Sequence, residues 1–170
     1  DGYKIKAQFN AGRMTSTSAK VDPKSISERK CFLCVENLKK KKKGILYNNN
    51  YIILCNPFPI FPTHFTLTHK EHTPQRIIDT FSDMLDLSKD LSKYYSVIYN
   101  GPRCGASAPD HLHFQAGNKF FMAIDDEFHQ IKNEYGKVIY EDDNLSFYAI
   151  DDGVRKFVSI ESLDKKLVVK

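Results

Sequence analysis

The sequence predicts an α+β protein in which short strands surround one amphipathic helix. Three observations carry this. Between Pro74 and Lys93, the residues Ile77, Ile78, Phe81, Met84, Leu85 and Leu91 recur at helical spacing. Tyr51–Cys55, Phe65–Thr68 and Tyr95–Tyr99 are rich in β-branched and aromatic residues and too short for helices. The run His111-Leu112-His113-Phe114-Gln115 alternates polar and apolar with period two, as a strand does.

Taken in order, residues 1–30 are polar and rich in Ser, Thr and Lys, and read as an extended leading segment with little regular structure. Cys31 to Cys34 make a tight turn. The lysines Lys39 to Lys43 and the asparagines Asn48 to Asn50 bracket a loop that is expected to be solvated. After the Tyr51 strand, Pro57, Pro59 and Pro62 exclude a central strand because proline cannot donate to the ladder. Pro74 suits the first position of the following helix. A Gly/Pro turn, Gly101-Pro102-Arg103-Cys104-Gly105, leads from the Tyr95 strand into the histidine strand. Beyond Asn118, Val138–Tyr140, Leu145–Ile150 and Phe157–Ile160 read as strands separated by Glu141-Asp142-Asp143-Asn144 and Asp151-Asp152-Gly153. The expected organisation is therefore a leading segment (1–30), a core domain (31–118) and further strands (119–170). Strand following strand in both parts hints at a second copy of the unit that begins near Gly136 and stops early.

The 170 residues suffice for a core without staples, and 41% hydrophobic content is ordinary for a globular chain. No run reaches the roughly 18 apolar residues of a membrane span, and no signal peptide opens the chain. The first residue is Asp rather than Met, which points to a trimmed N-terminus. Lys and Arg number 25 against 21 Asp and Glu, a net charge of +4. That mild excess is compatible with anionic substrates but too weak to establish them, and neither a nucleic-acid nor a membrane partner is expected. Four cysteines with one close pair do not make a disulfide scaffold, so a reducing, cytoplasmic setting is expected.

On the predicted strand, Leu112 and Phe114 face a core while His111, His113 and Gln115 line the opposite face. A face of two imidazoles and a carboxamide gains little stability and suits metal binding or phosphate chemistry, against the bland alternative of a solvated face. Cys31-x-x-Cys34 leaves three readings open. Two thiolates can clasp a metal from a tight turn, and histidines must then complete the set, since Cys55 and Cys104 stand alone. A redox pair is the rival, although the segment neither follows a strand nor clearly opens a helix. Two unrelated buried thiols are the third. His129 reads as a surface residue, and His64 as a pocket residue or a turn cap.

These segments together resemble the nucleotidyltransferase branch of the histidine-triad superfamily. That branch holds galactose-1-phosphate uridylyltransferase, diadenosine tetraphosphate phosphorylase and the GDP-hexose phosphorylases. His111-Leu112-His113-Phe114-Gln115-Ala116 looks like the branch's His-x-His-x-Gln signature and is closest to the GDP-hexose phosphorylases. Cys31-Phe32-Leu33-Cys34 is similar to the zinc-binding pair of the uridylyltransferases. His64-Phe65-Thr66-Leu67-Thr68-His69-Lys70-Glu71-His72 resembles the strand-then-His segment of the superfamily. The likeness covers about residues 28–118, and the whole chain looks most like longer, uncharacterised bacterial relatives.

The resemblance implies an antiparallel histidine-triad-like sheet with the Pro74–Lys93 helix packed on it, the first half of a duplicated fold. It implies a structural zinc held by Cys31, Cys34, His72 and His111, with His72 preferred to His69 because it sits at the turn toward the helix. It makes His113 the covalent nucleophile, held in one tautomer by the His111 carbonyl, and Gln115 a donor to a phosphoryl oxygen. Asn100 and Ser107 match phosphate-contacting positions, and Arg13 loosely matches an N-terminal phosphate-binding arginine. The implied activity is nucleotidyl transfer or phosphorolysis on a nucleotide sugar or dinucleoside polyphosphate, with phosphate or a sugar phosphate as acceptor. The alternatives are a nucleotide hydrolase of the same fold and a zinc-stabilised nucleotide-binding module without turnover. Two departures stand out. Ala108-Pro109-Asp110 makes the Ser107-to-His111 spacing one residue longer than in the uridylyltransferase pattern, which puts the reach of Ser107 in question. The chain also stops inside the second half, so an incomplete enzyme, or a homodimer that supplies the missing part, is expected.

Overall fold

The computed structural model describes residues 4–14, 18–38 and 43–170. The chain divides into two units, one of Ala7–Lys119 and one of Phe120–Lys170 with the N-terminal residues up to Lys6. The lysine run of the expected loop lies, but for Lys43, outside the described residues.

The first unit is α+β. Its strands are β1 (Gly44–Tyr47), β2 (Tyr51–Cys55), β3 (His64–His69), β4 (Tyr95–Ile98) and β5 (His113–Asn118), and its helices are α1 (Pro23–Glu28) and α2 (Phe81–Leu91). The strands form one antiparallel sheet in the order β1-β2-β3-β5-β4. Cross-strand partners share a face, so the register sorts the side chains. Tyr51, Leu67, Phe114 and Ala116 point one way and pack with Leu112 and with Leu87 of α2 into the buried core. Tyr99 and Met84 pad its edges. The opposite face carries the row Leu54–Thr66–Gln115–Ile98 and, beside it, Ile52–Thr68–His113. Polar groups therefore gather on one face of a sheet whose other face is dry.

Four elements of this unit differ from the sequence expectation. The helix begins at Phe81, not Pro74, because Thr73 and Gln75 are tied to the start of β5 instead. The Leu112 N–H donates to the Thr73 carbonyl at 2.7 Å, and the Gln75 side chain bonds the His113 backbone. The histidine strand begins at His113, and His111 and Leu112 precede it, for the same reason. β1 stands where the sequence predicts a loop. Only Tyr47 of its residues is not exposed, so no burial alternation marks it, and Asn48 and Asn49 turn the chain with φ of 46° and 58°. The leading segment holds α1, started by Asp22, which accepts the Ser25 N–H at 3.0 Å, and by Pro23 at the first position.

The second unit opens with α3 (Ala123–Tyr135), a helix where only strands are expected from the sequence. The signal was present: Ile124, Phe128, Ile131 and Tyr135 recur at helical spacing, with Asp125 and Asp126 in the first turn and Lys132 in the last. Strands β6 (Gly136–Glu141), β7 (Leu145–Asp151) and β8 (Lys156–Ser162) follow as an antiparallel meander, and α4 (Lys165–Val169) follows them. Lys132 of α3 reaches Glu161 at 2.8 Å and lies over the Tyr148 ring. His129 is exposed, as expected. Among the described residues no helix is long and apolar enough to cross a membrane.

Candidate active site and metal centre

Cys31 and Cys34 lie on the turn after α1, closed by Asn37: its side chain donates to the Cys31 carbonyl at 2.9 Å and its N–H to the Cys34 carbonyl at 3.0 Å. Both thiols are buried with Leu33 and Ala108, and neither forms a disulfide. His111, at the mouth of β5, brings Nδ1 to 3.3 Å from Cys31 Sγ and 3.5 Å from Cys34 Sγ. His72, on the turn after β3, brings Nδ1 to 3.1 Å from Cys34 Sγ. All four donor atoms lie within 4.8 Å of one another, a group that could hold a metal ion. The edges of a tetrahedron with zinc-type bond lengths are roughly 3.5 Å between sulfur and nitrogen, so this donor set fits such an ion.

The electrostatics point the same way. Burial pushes the Cys31 thiol up, but the His111 ring and the N–H groups of Leu33 and Cys34 outweigh it and bring it down to about 6. Burial and the neighbouring Cys31 then push Cys34 up to about 12. Two thiolates this close repel, and a cation between them removes the conflict. His111 Nε2 lies 2.8 Å from the His69 carbonyl, which can only accept. Nε2 therefore keeps its proton, and Nδ1 is the nitrogen whose lone pair would face a cation held in the cluster. His69 thus serves through its backbone, while its ring bonds within the turn at Glu71. Around His72, the Asp110 carboxylate approaches Nε2 at 3.9 Å and pairs with Arg29 at 2.5 Å, whose guanidinium stacks on Phe32. Such outer partners orient metal-ligating rings.

The same logic fixes His113. Its Nδ1 lies 2.8 Å from the His111 carbonyl, so Nδ1 keeps the proton and Nε2 is left with a lone pair. Burial holds its pKa below the usual imidazole value, against the pull of that carbonyl, which keeps the ring neutral. His113 lines a cavity of about 300 Å³. The polar lining includes Arg13, Asn100, Ser107, His113 and Gln115, and the apolar lining Phe32, Leu33, Phe58, Ile60 and Ile98. The structure thus brings Cys31, Cys34, His72 and His111 into one cluster, and His113, Gln115, Asn100, Ser107 and Arg13 onto one cavity. Despite the longer spacing, Ser107 is on the cavity wall.

Two further residues belong to this site. His64 accepts the Ile60 N–H at Nδ1 (3.1 Å), so its Nε2 donates to Gln115 Oε1 (2.9 Å). Gln115 is then turned with its amide nitrogen toward Asn100 Oδ1 at 3.0 Å. Burial lowers the His64 pKa, against the Gln115 bond and helped by the charge of Arg13, so the donor stays neutral. From the sequence, His64 could not be separated from a turn cap. Gln75, buried against the backbone of His113, carried no signal at all, since a lone glutamine after a proline looks like any helix start.

A family model described as Domain of unknown function (DUF4922) matches residues 1–118. No curated protein matches the chain. Among solved structures, a histidine triad protein from Clostridium difficile is 17% identical, with 54% of this chain and 90% of that chain covered and a TM-score of 0.41. A HIT family hydrolase from Clostridium thermocellum is 23% identical with the same coverages and a TM-score of 0.38. Matched over 118 of its 170 residues by that family model, the chain belongs to the DUF4922 family.

Proposed function

We propose that this protein is a histidine-triad-type nucleotidyltransferase or phosphorylase acting on a nucleotide sugar or dinucleoside polyphosphate through a nucleotidyl-His113 intermediate. One observation carries the reading. A buried, neutral imidazole has its Nδ1 proton tied to the His111 carbonyl and sits on the wall of a cavity shared with Gln115, Asn100, Ser107 and Arg13. A neutral ring whose far nitrogen is held by an acceptor is a competent nucleophile toward phosphorus at neutral pH.

In the first half-reaction, Nε2 of His113 attacks the α-phosphorus. The N–P bond forms as the bond to the bridging oxygen breaks, and the sugar phosphate or nucleotide leaves with that oxygen. Charge gathering on the non-bridging oxygens meets the amide N–H of Gln115, the hydroxyl of Ser107 and the guanidinium of Arg13. In the second half-reaction an oxygen of phosphate or of a sugar phosphate attacks the same phosphorus, and the N–P bond breaks. The apolar walls at Phe32, Phe58 and Ile60 suit a base. Zinc, held by Cys31, Cys34, His72 and His111, would fix the His111 loop and so the position of His113, with no open ligand position for chemistry.

The test is a mass measurement after incubation with a panel of nucleoside diphosphate sugars and dinucleoside polyphosphates. A nucleotidyl adduct, absent in His113→Ala, is expected, and phosphate should discharge it faster than water alone. Turnover without phosphate and without an adduct would make the protein a hydrolase. Nucleotide binding with neither would leave a binding module.

A further inference from the structure

β4 and β5 pair as far as Ile98 and Gln115, and the next partners in that register on the site face are Asn100 and His113. They do not pair. The Gln75 carboxamide stands between them: its Oε1 accepts the His113 N–H at 2.7 Å, and its Nε2 donates to the carbonyls of His113 at 3.0 Å and Asn100 at 2.9 Å. The side chain is 1% exposed, and the Gln75 carbonyl in turn accepts the Tyr99 hydroxyl at 2.9 Å. A carboxamide has the donor and acceptor of a peptide group, so Gln75 satisfies the ladder groups of β5 in place of β4.

From this we infer that Gln75 is a positioning residue of the active site, a wedge that splays β4 from β5 and sets the spacing of Asn100 and His113. Without it, two neighbouring strands would continue to zip. Zipping would draw Asn100 onto His113 and close the segment Gly101–Asp110 over the face that now holds the cavity. With it, the backbone of Asn100 is anchored at one remove. Its side chain is left to accept from Gln115 Nε2 and to donate to the Cys104 carbonyl at 3.3 Å. The same carboxamide grips both the N–H and the C=O of His113, one from each of its flanking peptide groups, so the nucleophile is held by the His111 carbonyl at its ring and by Gln75 at its backbone. The inference rests on His113 being the nucleophile, and Gln75 acts only through His113 and Asn100.

The experiment compares the unaltered protein with Gln75→Met, which keeps the volume and removes every side-chain hydrogen bond, and Gln75→Asn, which keeps the carboxamide one methylene short. Adduct formation is timed below the melting temperature of each variant, with metal content checked. Gln75→Met should retain zinc, lose about 10- to 100-fold in the rate of adduct formation at saturating nucleotide, and change half-saturation far less, because a misplaced nucleophile costs rate rather than binding. Gln75→Asn should fall between. A Gln75→Met rate equal to that of the unaltered protein would overturn the inference.

A second measurement needs no activity and no variant. The Gln75 side-chain amide and the His113 backbone amide of the unaltered protein should exchange with solvent as slowly as the sheet core. Free exchange at both sinks the wedge even if His113 is the nucleophile. Slow exchange in a protein that forms no adduct with any nucleotide would instead retire the proposed function and leave the wedge standing.

Discussion

The main-chain carbonyl of His111 accepts the Nδ1 proton of His113 at 2.8 Å while the His111 ring faces Cys31 and Cys34. One residue thus serves two sites, through its side chain to the thiols and through its backbone to the His113 ring. The His111 backbone cannot move without retuning His113. Histidines two apart on an extended chain lie on one side of it, and the backbone between them makes the connection.

Removing a cluster ligand is therefore a folding experiment. Cys31→Ser should abolish metal binding, read by elemental analysis as about one zinc per chain in the unaltered protein and none in the variant. Metal held at a thousand times its dissociation constant stabilises the fold by about 4 kcal/mol. A chelator should accordingly lower the melting temperature of the unaltered protein and leave Cys31→Ser unmoved. Equal responses to chelator would remove the metal site.

The two histidines should fail in opposite ways. His113→Ala deletes a ring on the cavity wall and leaves the cluster whole, so metal content and melting should hold while adduct formation stops. His111→Ala deletes a cluster donor and should lose metal and stability first. If His111→Ala kept its metal and lost only chemistry, the division of labour between them would be wrong.

His64 should act only through Gln115. Gln115→Ala removes a donor to developing charge and should slow adduct formation on the order of 100-fold, about 3 kcal/mol. His64→Ala frees the carboxamide to turn and should cost about tenfold or less. The double variant should be no slower than Gln115→Ala alone, because residues in one hydrogen-bond chain are not additive. A double variant slower by the product of the two would mean that His64 touches substrate itself.

The strand carrying His113 was legible because Leu112 and Phe114 are core residues, and apolar alternation survives any detail of pairing. The four-residue cluster was legible only through the family resemblance, which implies His72 and His111 as partners; the Cys31-x-x-Cys34 spacing by itself left a metal clasp, a redox pair and two unrelated thiols open. Helix α2 is legible in the apolar periodicity, but it starts seven residues after Pro74, since Pro74 and Ile77 carry helix signals that a side-chain bridge from Gln75 overrides. Long-range contacts of that kind, Gln75 to His113 and His64 to Gln115, leave no periodic trace. Strand β1 was invisible for a different reason: Ile45 and Leu46 are both exposed, so a short edge strand had no buried face to announce it.

Gly117 has no room for a side chain. A Cβ there would sit 2.2 Å from the Phe61 ring, which lies edge-on to His64 at 5.1 Å between ring centroids. Gly117→Ala must push Phe61 away, and overpacking of this kind costs about 1–3 kcal/mol. The loss should appear as a lower denaturant midpoint with an unchanged slope, and the double variant with Phe61→Leu should recover part of it. A Gly117→Ala protein as stable as the unaltered one would show that the Phe61 contact is loose.

The second unit should be acid-labile through Asp152. Its Oδ1 accepts the N–H groups of Val154 at 2.9 Å and Arg155 at 2.6 Å, and its Oδ2 takes the Arg155 guanidinium at 2.7 Å. The other branch of that guanidinium reaches Glu127 at 2.8 Å. The Arg155 N–H and its companions, working against burial, hold the Asp152 pKa below its ordinary value of 3.8, and the Arg155 side chain does the same for Glu127. The sign follows from linkage: a carboxylate with a depressed folded pKa contributes stability above its unfolded value, and that contribution is lost as pH falls through the folded one. Between pH 7 and about 5 the unit should hold its stability, and below about pH 4 it should weaken. Asp152→Asn keeps the shape, presents an amide to the guanidinium, and should be less stable at pH 7 with a flatter acid limb. Amide signals of β7 and β8 followed through a urea series at pH 7 and pH 3 read this directly. Equal acid losses in Asp152→Asn and the unaltered protein would place the acid sensitivity elsewhere.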